Sequence, residues 1–280
     1  VPPTMRRFVR PLVLTALAAC CGAAFAATTD APPLGHLPTW AQPESYKLSF
    51  KVDPKQETYA GSSTIKIKLS QPSDFIWLHG KELKVSKVTV TDAAGKKHAG
   101  KYTVAAEKEG VVRVDLGAKL EGEITLAIEF TAPLNKQLQG LYKVSHEGVP
   151  YAMTQMEPVS ARYAFPGFDE PSFKVPFDIS LTIPADDQGV ANTAQVKEEK
   201  AGAGWKTLTF STTKPLPTYL VAFAVGPWDV VKGPDITPTE FRSTATPLRG
   251  IAAKGEGHRM QHVLGETNSI IHTLEDYYGF

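Results

Sequence analysis

From Ser45 onward, apolar residues fall at every second position. In SYKLSFKVD, Tyr46, Leu48, Phe50 and Val52 alternate with polar neighbours, and Ile65, Ile67 and Leu69 do the same in STIKIKLS. Successive side chains of an extended strand point to opposite faces, so this period turns one face to a core and the other to water. Further short runs follow at residues 75–78 (FIWL), 85–92 (VSKVTVTD), 102–105 (YTVA), 110–116 (GVVRVDL) and 123–132 (EITLAIEFTA). Turn-forming stretches such as DAAGKK (92–97) separate them. The pattern resumes at 176–184, 189–196 and 205–211, then ends in TYLVAFAVGPWDVV (218–231), whose continuous apolar run predicts a strand buried on both faces. Short alternating strands with frequent turns predict a mainly β chain folded as an antiparallel β-sandwich over residues 44–236. No internal repeat is visible.

The regime changes near Pro234. After a short β-like piece, TEFRSTATP, positions Met260, Val263, Leu264, Thr267, Ile271, Leu274 and Tyr278 recur at helical spacing, with Gly279 suited to the helix C-terminus. Residues 237–280 therefore read as the opening of a second domain that is cut short. The same helix carries His258, His262 and Glu266 at i, i+4 and i+8. Two histidines at that spacing can chelate zinc. The trio lies opposite the apolar stripe, however, and Arg259 stands where a general-base glutamate would be needed, so a solvated polar face is the preferred reading. His36, His79, His98, His146 and His272 are scattered without ligand spacing. No metal site is expected in this chain.

Composition narrows the partners rather than naming them. A formal net charge of +1 over 280 residues offers no global attraction for nucleic acid or an acidic membrane. At the N-terminus, MRRFVRPLVLTALAACCGAAFA has the arginines, apolar run and small-residue site of a secretory signal, cut after Ala24-Phe25-Ala26. Residues 1–4 lie upstream of that signal and 27–43 read as a Pro-rich linker. The rival is a lipobox at Leu17-Ala18-Ala19-Cys20, which would lipidate Cys20 and tether the chain to a membrane. Export, to the bacterial periplasm, is the preferred expectation. Cys20 and Cys21 are the only cysteines, and both lie in the signal, so no disulfide framework is expected after cleavage.

The chemistry-bearing stretch is TQMEPVSARYAFPGFDEPS, Thr154–Ser172. If residues 151–157 are a strand, Gln155 and Glu157 share a face about 7 Å apart. A carboxylate beside an amide oxygen suits an ammonium group; a plain solvent-facing strand edge is the alternative. Arg162 and Asp169 read as an ion pair pinning the Pro166-Gly167 turn. Asp169 and Glu170, being adjacent, make a poor acid–base pair. No G-x-S-x-G, Walker or dinucleotide motif is present.

The same stretch, extended to TQMEPVSARYAFPGFDEPSFKVPFDISL, resembles the N-domain hallmark of the M1 family of zinc aminopeptidases: T-Q-x-E, then A-R, then F-P-C-F-D-E-P. GSSTIKIKL, FIWLHGKEL, QGLYKV and TYLVAFAVGPWDVV fit the resemblance too, which covers roughly residues 44–280. Gly167 departs from the family's usual cysteine. The resemblance implies a saddle-like β domain followed by an α/β thermolysin-like catalytic domain. It also implies removal of N-terminal residues from peptides, with Gln155 and Glu157 lining the substrate pocket and the glutamate holding the free α-ammonium. Arg162 and Asp169 match motif positions of structural type. The family's G-x-M-E-N and His-Glu-x-x-His motifs are absent from these 280 residues. Zinc is thus expected in the full-length enzyme, with no ligands from this chain, which alone should be inactive. The rival reading is a non-catalytic β-sandwich binding module.

Overall fold

The computed structural model describes residues 30–280; the predicted signal, its cleavage site and Cys20 lie outside them. Fifteen strands and one α-helix follow in order. They are β1 (Ala41–Lys51), β2 (Thr58–His79), β3 (Lys84–Thr91), β4 (Lys97–Ala99), β5 (Lys101–Ala106), β6 (Val111–Pro133), β7 (Gly140–His146) and β8 (Val149–Gln155). After them come β9 (Phe177–Pro184), β10 (Gln188–Ala191), β11 (Gln195–Lys200), β12 (Trp205–Phe210), β13 (Phe223–Gly226), β14 (Asp229–Lys232), β15 (Arg249–Ala252) and α1 (Gln261–Tyr278). The mainly β fold expected from the alternation is the fold observed.

A nine-stranded sheet runs β11-β12-β9-β1-β2-β6-β3-β4, with β5 paired to β6, and a four-stranded sheet runs β10-β13-β8-β7. Inward residues of both meet in one core. Tyr46 stacks on Phe177 with centroids 4.7 Å apart, and Phe50 of the large sheet lies 4.7 Å from Phe223 of the small one. Pairing is antiparallel except between β1 and β9, which run parallel. Parallel neighbours need a long crossover. The intervening chain carries the small sheet's β7–β8 hairpin and the Thr154–Ser172 segment, so both are built inside that crossover.

Several predicted runs merge. STIKIKLS and FIWL are one strand, β2, with register shifts around Ser73, and β6 likewise joins 110–116 to 123–132. Phe75 through His79 are buried on both faces of β2. Part of their cover comes from the expected linker: Trp40 meets Phe75 edge-on at 5.8 Å, and Leu37 is only 3% exposed. That segment is therefore packed chain from Leu37 on, and β1 begins at Ala41, bulging between Pro43 and Ser45 where proline cannot donate to the ladder.

The run TYLVAFAVGPWDVV is not one strand. Thr218–Leu220 form a 3-10 turn, β13 ends before Pro227, and β14 leaves to pair with β15. The prolines at 217 and 227 supply the reason, since each removes a backbone donor. Nor is TEFRSTATP a strand; Ile236 and Thr246 share an isolated bridge. The helix forms where its spacing put it and ends on Gly279 in the left-handed region, φ 74°, whose N–H returns to Glu275 O at 2.8 Å. Its apolar stripe, though, is only partly covered: Leu264 is buried, Met260, Thr267 and Ile271 are half-buried, and Val263, Leu274 and Tyr278 are exposed. Polar contacts do the anchoring, through Arg242 Nε to Glu275 Oε1 at 3.0 Å and Thr237 N to Asn268 Oδ1 at 2.8 Å. No helix of the described residues is long and apolar enough to cross a membrane.

Because Phe50 bridges the two sheets, Phe50→Ala should lower the unfolding free energy by about 3–5 kcal/mol. Urea denaturation measures this; a loss below about 1 kcal/mol would show that the sheets do not share one core.

Candidate functional site

Strand β8 carries the site's leading edge to its last residue. Met153 pairs with Ala224 of β13, and Gln155 pairs with Gly140 of β7. Between them Thr154 replaces a ladder rung with its side chain: Oγ1 donates to Phe223 O at 3.2 Å and accepts from Phe223 N at 3.0 Å. The strand ends at Gln155, two residues short of the predicted span, as Pro158 ends extended pairing just beyond. The alternation nevertheless continues for two more residues. Gln155 is exposed, Met156 is 2% exposed, and Glu157 is exposed again. Neither the Gln155 amide nor the Glu157 carboxylate bonds to another side chain or to backbone among the described residues. Both side chains are thus exposed, Gln155 at the strand's last residue and Glu157 in the turn just beyond it.

Behind them the chain turns through Ala161–Tyr163 into a loop fastened at almost every residue. Tyr59 Oη donates to Ala164 O at 2.8 Å and Ser63 Oγ to Pro166 O at 3.1 Å. His79 and Gly167 exchange backbone hydrogen bonds of 2.8 and 3.0 Å. The Phe168 N–H donates to Tyr46 Oη at 2.8 Å. A Cβ on Gly167 would stand 3.0 Å from that same hydroxyl, so the residue that departs from the family pattern faces the most tightly packed side of the turn.

Arg162 and Asp169 are the pair the sequence anticipates. Arg162 N and Nε donate to Asp169 Oδ2 at 3.2 and 2.9 Å, Nη2 donates to Asp169 O at 3.1 Å, and Nη1 donates to Glu109 O. Asp169 Oδ1 accepts from Thr218 Oγ1 at 2.6 Å. Asp169 is 3% and Arg162 12% exposed, so the pair is held in the interior. Glu170 faces another way, accepting from Leu37 N at 2.5 Å and meeting His36 Nδ1 at 2.9 Å. The two adjacent carboxylates thus have separate structural duties.

The sequence reading passed over His79. It closes β2 beside this loop, 3% exposed, and its Nδ1 is buried without a partner among the described residues. Burial first, and the Arg162 charge second, push its pKa down to about 3. The available signal was its place at the end of the apolar run FIWL. Of the helix trio, His258 sits in the 3-10 turn Gly257–Met260 with its ring on Gly255 O, while His262 and Glu266 are exposed on α1. No three His, Cys, Asp or Glu side chains of the described residues converge as metal ligands.

Two β-sheets on a common core, with a loop fastened to the large sheet, define a β-sandwich domain. Residues 42–220 match the Peptidase M1 N-terminal domain, and the chain belongs to that family. It is 30% identical over 253 residues to glutamyl aminopeptidase of Bos taurus, covering 87% of this chain and 26% of that relative. It is 32% identical over 213 residues to aminopeptidase M1-B of Oryza sativa, covering 74% of this chain and 24% of the relative. Against puromycin-sensitive aminopeptidase of Caenorhabditis elegans it is 28% identical over 218 residues, 75% of this chain and 23% of the relative. The chain thus spans about a quarter of the length of the relatives it matches.

Two outcomes test the loop. Asp169→Ala leaves the Arg162 cation buried and unpaired, and should cost about 3–5 kcal/mol of unfolding free energy by urea titration. Unchanged stability would remove the pair from the loop's supports. His79 sets a pH dependence of known sign. The unfolded imidazole takes up a proton below 6.5, whereas the folded one resists until about 3. Its contribution is therefore complete above 6.5 and is lost as pH falls toward 3, by about 1.4 kcal/mol per unit. A His79→Leu variant should show a correspondingly shallower loss of stability with acid; parallel profiles would contradict the neutral, buried imidazole.

Proposed function

We propose that this chain is the amine-binding N-terminal part of an exported zinc aminopeptidase, with Gln155 and Glu157 receiving the free α-ammonium group of a peptide substrate. One observation carries the reading. The two side chains that resemble the family's T-Q-x-E stand exposed at and just past a strand terminus and make no hydrogen bond among the described residues. A carboxylate accepts charge-assisted hydrogen bonds from an ammonium group, and the amide oxygen adds a neutral acceptor beside it. The fastened loop behind supplies rigidity, which matters because a pocket wall loses affinity when binding must also order it.

The described residues provide no set of zinc ligands. Their part is to bind and orient the amine end, not to break the bond. Zinc would polarise the scissile carbonyl and activate water from a region outside them. The export signal expected in residues 5–26 supports an activity beyond the cytoplasm.

In an enzyme joining this segment to a zinc-bearing region, Glu157→Ala should lower kcat/KM for free-amine peptides by about 10- to 100-fold, the loss of one hydrogen bond to a charged group. Unchanged kinetics would sink the ammonium assignment. The chain alone should release no product from an aminoacyl reporter, with or without added zinc; zinc-dependent turnover would show a complete active site.

A further inference from the structure

Behind the loop lies a cavity of about 410 Å³ that does not include Gln155 or Glu157. Its floor is His79, Val111 and the Arg162–Asp169 pair. Leu34, Gly35 and His36 pass over it as a strap, tied at one end by Asp30 to Arg113 at 2.7 Å and at the other by His36 and Leu37 to Glu170. Lys81, Lys108, Tyr163 and Val159 form its sides.

The donors and acceptors around this space do not balance. Asp169 accepts from Arg162 and Thr218, and Glu170 accepts from the Leu37 N–H and faces His36, so both carboxylates are engaged. Donors are left over. Arg162 directs three of its side-chain N–H groups to Asp169 and Glu109, and a guanidinium has five. Lys81 Nζ makes one hydrogen bond, to Lys108 O at 3.0 Å, and can make three. The Lys108 ammonium makes none among the described residues. His79, nearly wholly buried, has an orphaned ring nitrogen in the same lining. Three carboxylates share the lining with three cations, Lys81, Lys108 and Arg162: Asp169 and Glu170 are engaged as above, and the Glu109 carboxylate makes no hydrogen bond among the described residues. Among these groups the buried orphan is His79 Nδ1, and a buried polar atom is rarely left without a partner; the Lys81 and Lys108 ammoniums reach solvent and remain open to an acceptor. The rest of the lining is apolar, from Leu34, Val111, Val159, Tyr163 and Pro171.

We propose that this cavity is a binding site for a small carboxylate with an apolar body. The carboxylate takes the leftover hydrogen bonds of Lys81, Arg162 and His79, and the body lies against Val111, Val159 and Tyr163. The site is independent of the ammonium receptor. It touches the same loop, however, because Val159 follows Glu157 by two residues, so occupancy stiffens the pocket wall from behind.

The test is calorimetric titration of the whole chain with 3-phenylpropanoate, alongside its uncharged amide. The carboxylate should bind saturably and the amide at least about tenfold more weakly, the value of a charge-assisted hydrogen bond. Lys81→Met, a change at the cavity's side that should leave the unfolding curve in place, should weaken the carboxylate by about tenfold. Glu109→Gln, which removes the opposing charge, should tighten it. Glu157→Ala should leave it unchanged, which separates this site from the amine site. Absence of saturable binding, equal binding of acid and amide, or indifference to Lys81→Met would each overturn the proposal.

Discussion

The buried pair of Arg162 and Asp169 is the interaction on which the rest depends. Asp169 takes hydrogen bonds from Arg162 and from Thr218, and Arg162 reaches on to the backbone of Glu109. Three distant parts of the chain are thereby tied at one point: the β5–β6 turn, the motif loop and the 3-10 turn before β13. Buried ions are costly unless both charge and hydrogen bonds are matched. Asp169 is matched on both oxygens, whereas Arg162 has N–H groups beyond the three its side-chain bonds use, in a cavity lining that also holds His79.

The loop's other fastenings come from the large sheet. Tyr46, Tyr59 and Ser63 lie on β1 and β2 and reach across the core to loop backbone. Burial removes the Tyr46 and Tyr59 hydroxyls from water and raises their pKa values, so both remain neutral donors or acceptors. The sandwich is thus more than a carrier of the motif. Its aromatic layer ends in hydroxyls that hold the motif backbone at Ala164 and Phe168.

Much of this was legible in the chain. Alternation at Tyr46, Leu48 and Phe50 marked β1 because a half-buried strand must alternate, and Ile65, Ile67 and Leu69 marked β2 for the same reason. The Arg162–Asp169 pair could be anticipated because the two flank a Pro-Gly turn. Less legible were features that depend on distant neighbours. The stretch 218–231 looks like one buried strand by hydropathy, yet Pro227 divides it between sheets. Residues 37–43 look like a linker by composition, yet Leu37 and Trp40 find cover on β2. His79 looks like a stray histidine until Gly167 and Arg162 are beside it.

By itself the sequence determined the periodicity, and with it the mainly β fold, since strand geometry is local and repeats every two residues. Its motif also determined the family. Only the tertiary structure decided what the periodicity encloses: the parallel meeting of β1 with β9, the strap over the cavity, and the surplus of donors around His79. Those arise from residues far apart in the chain, as with His36 and Glu170, 134 positions apart, and no local pattern records such a meeting.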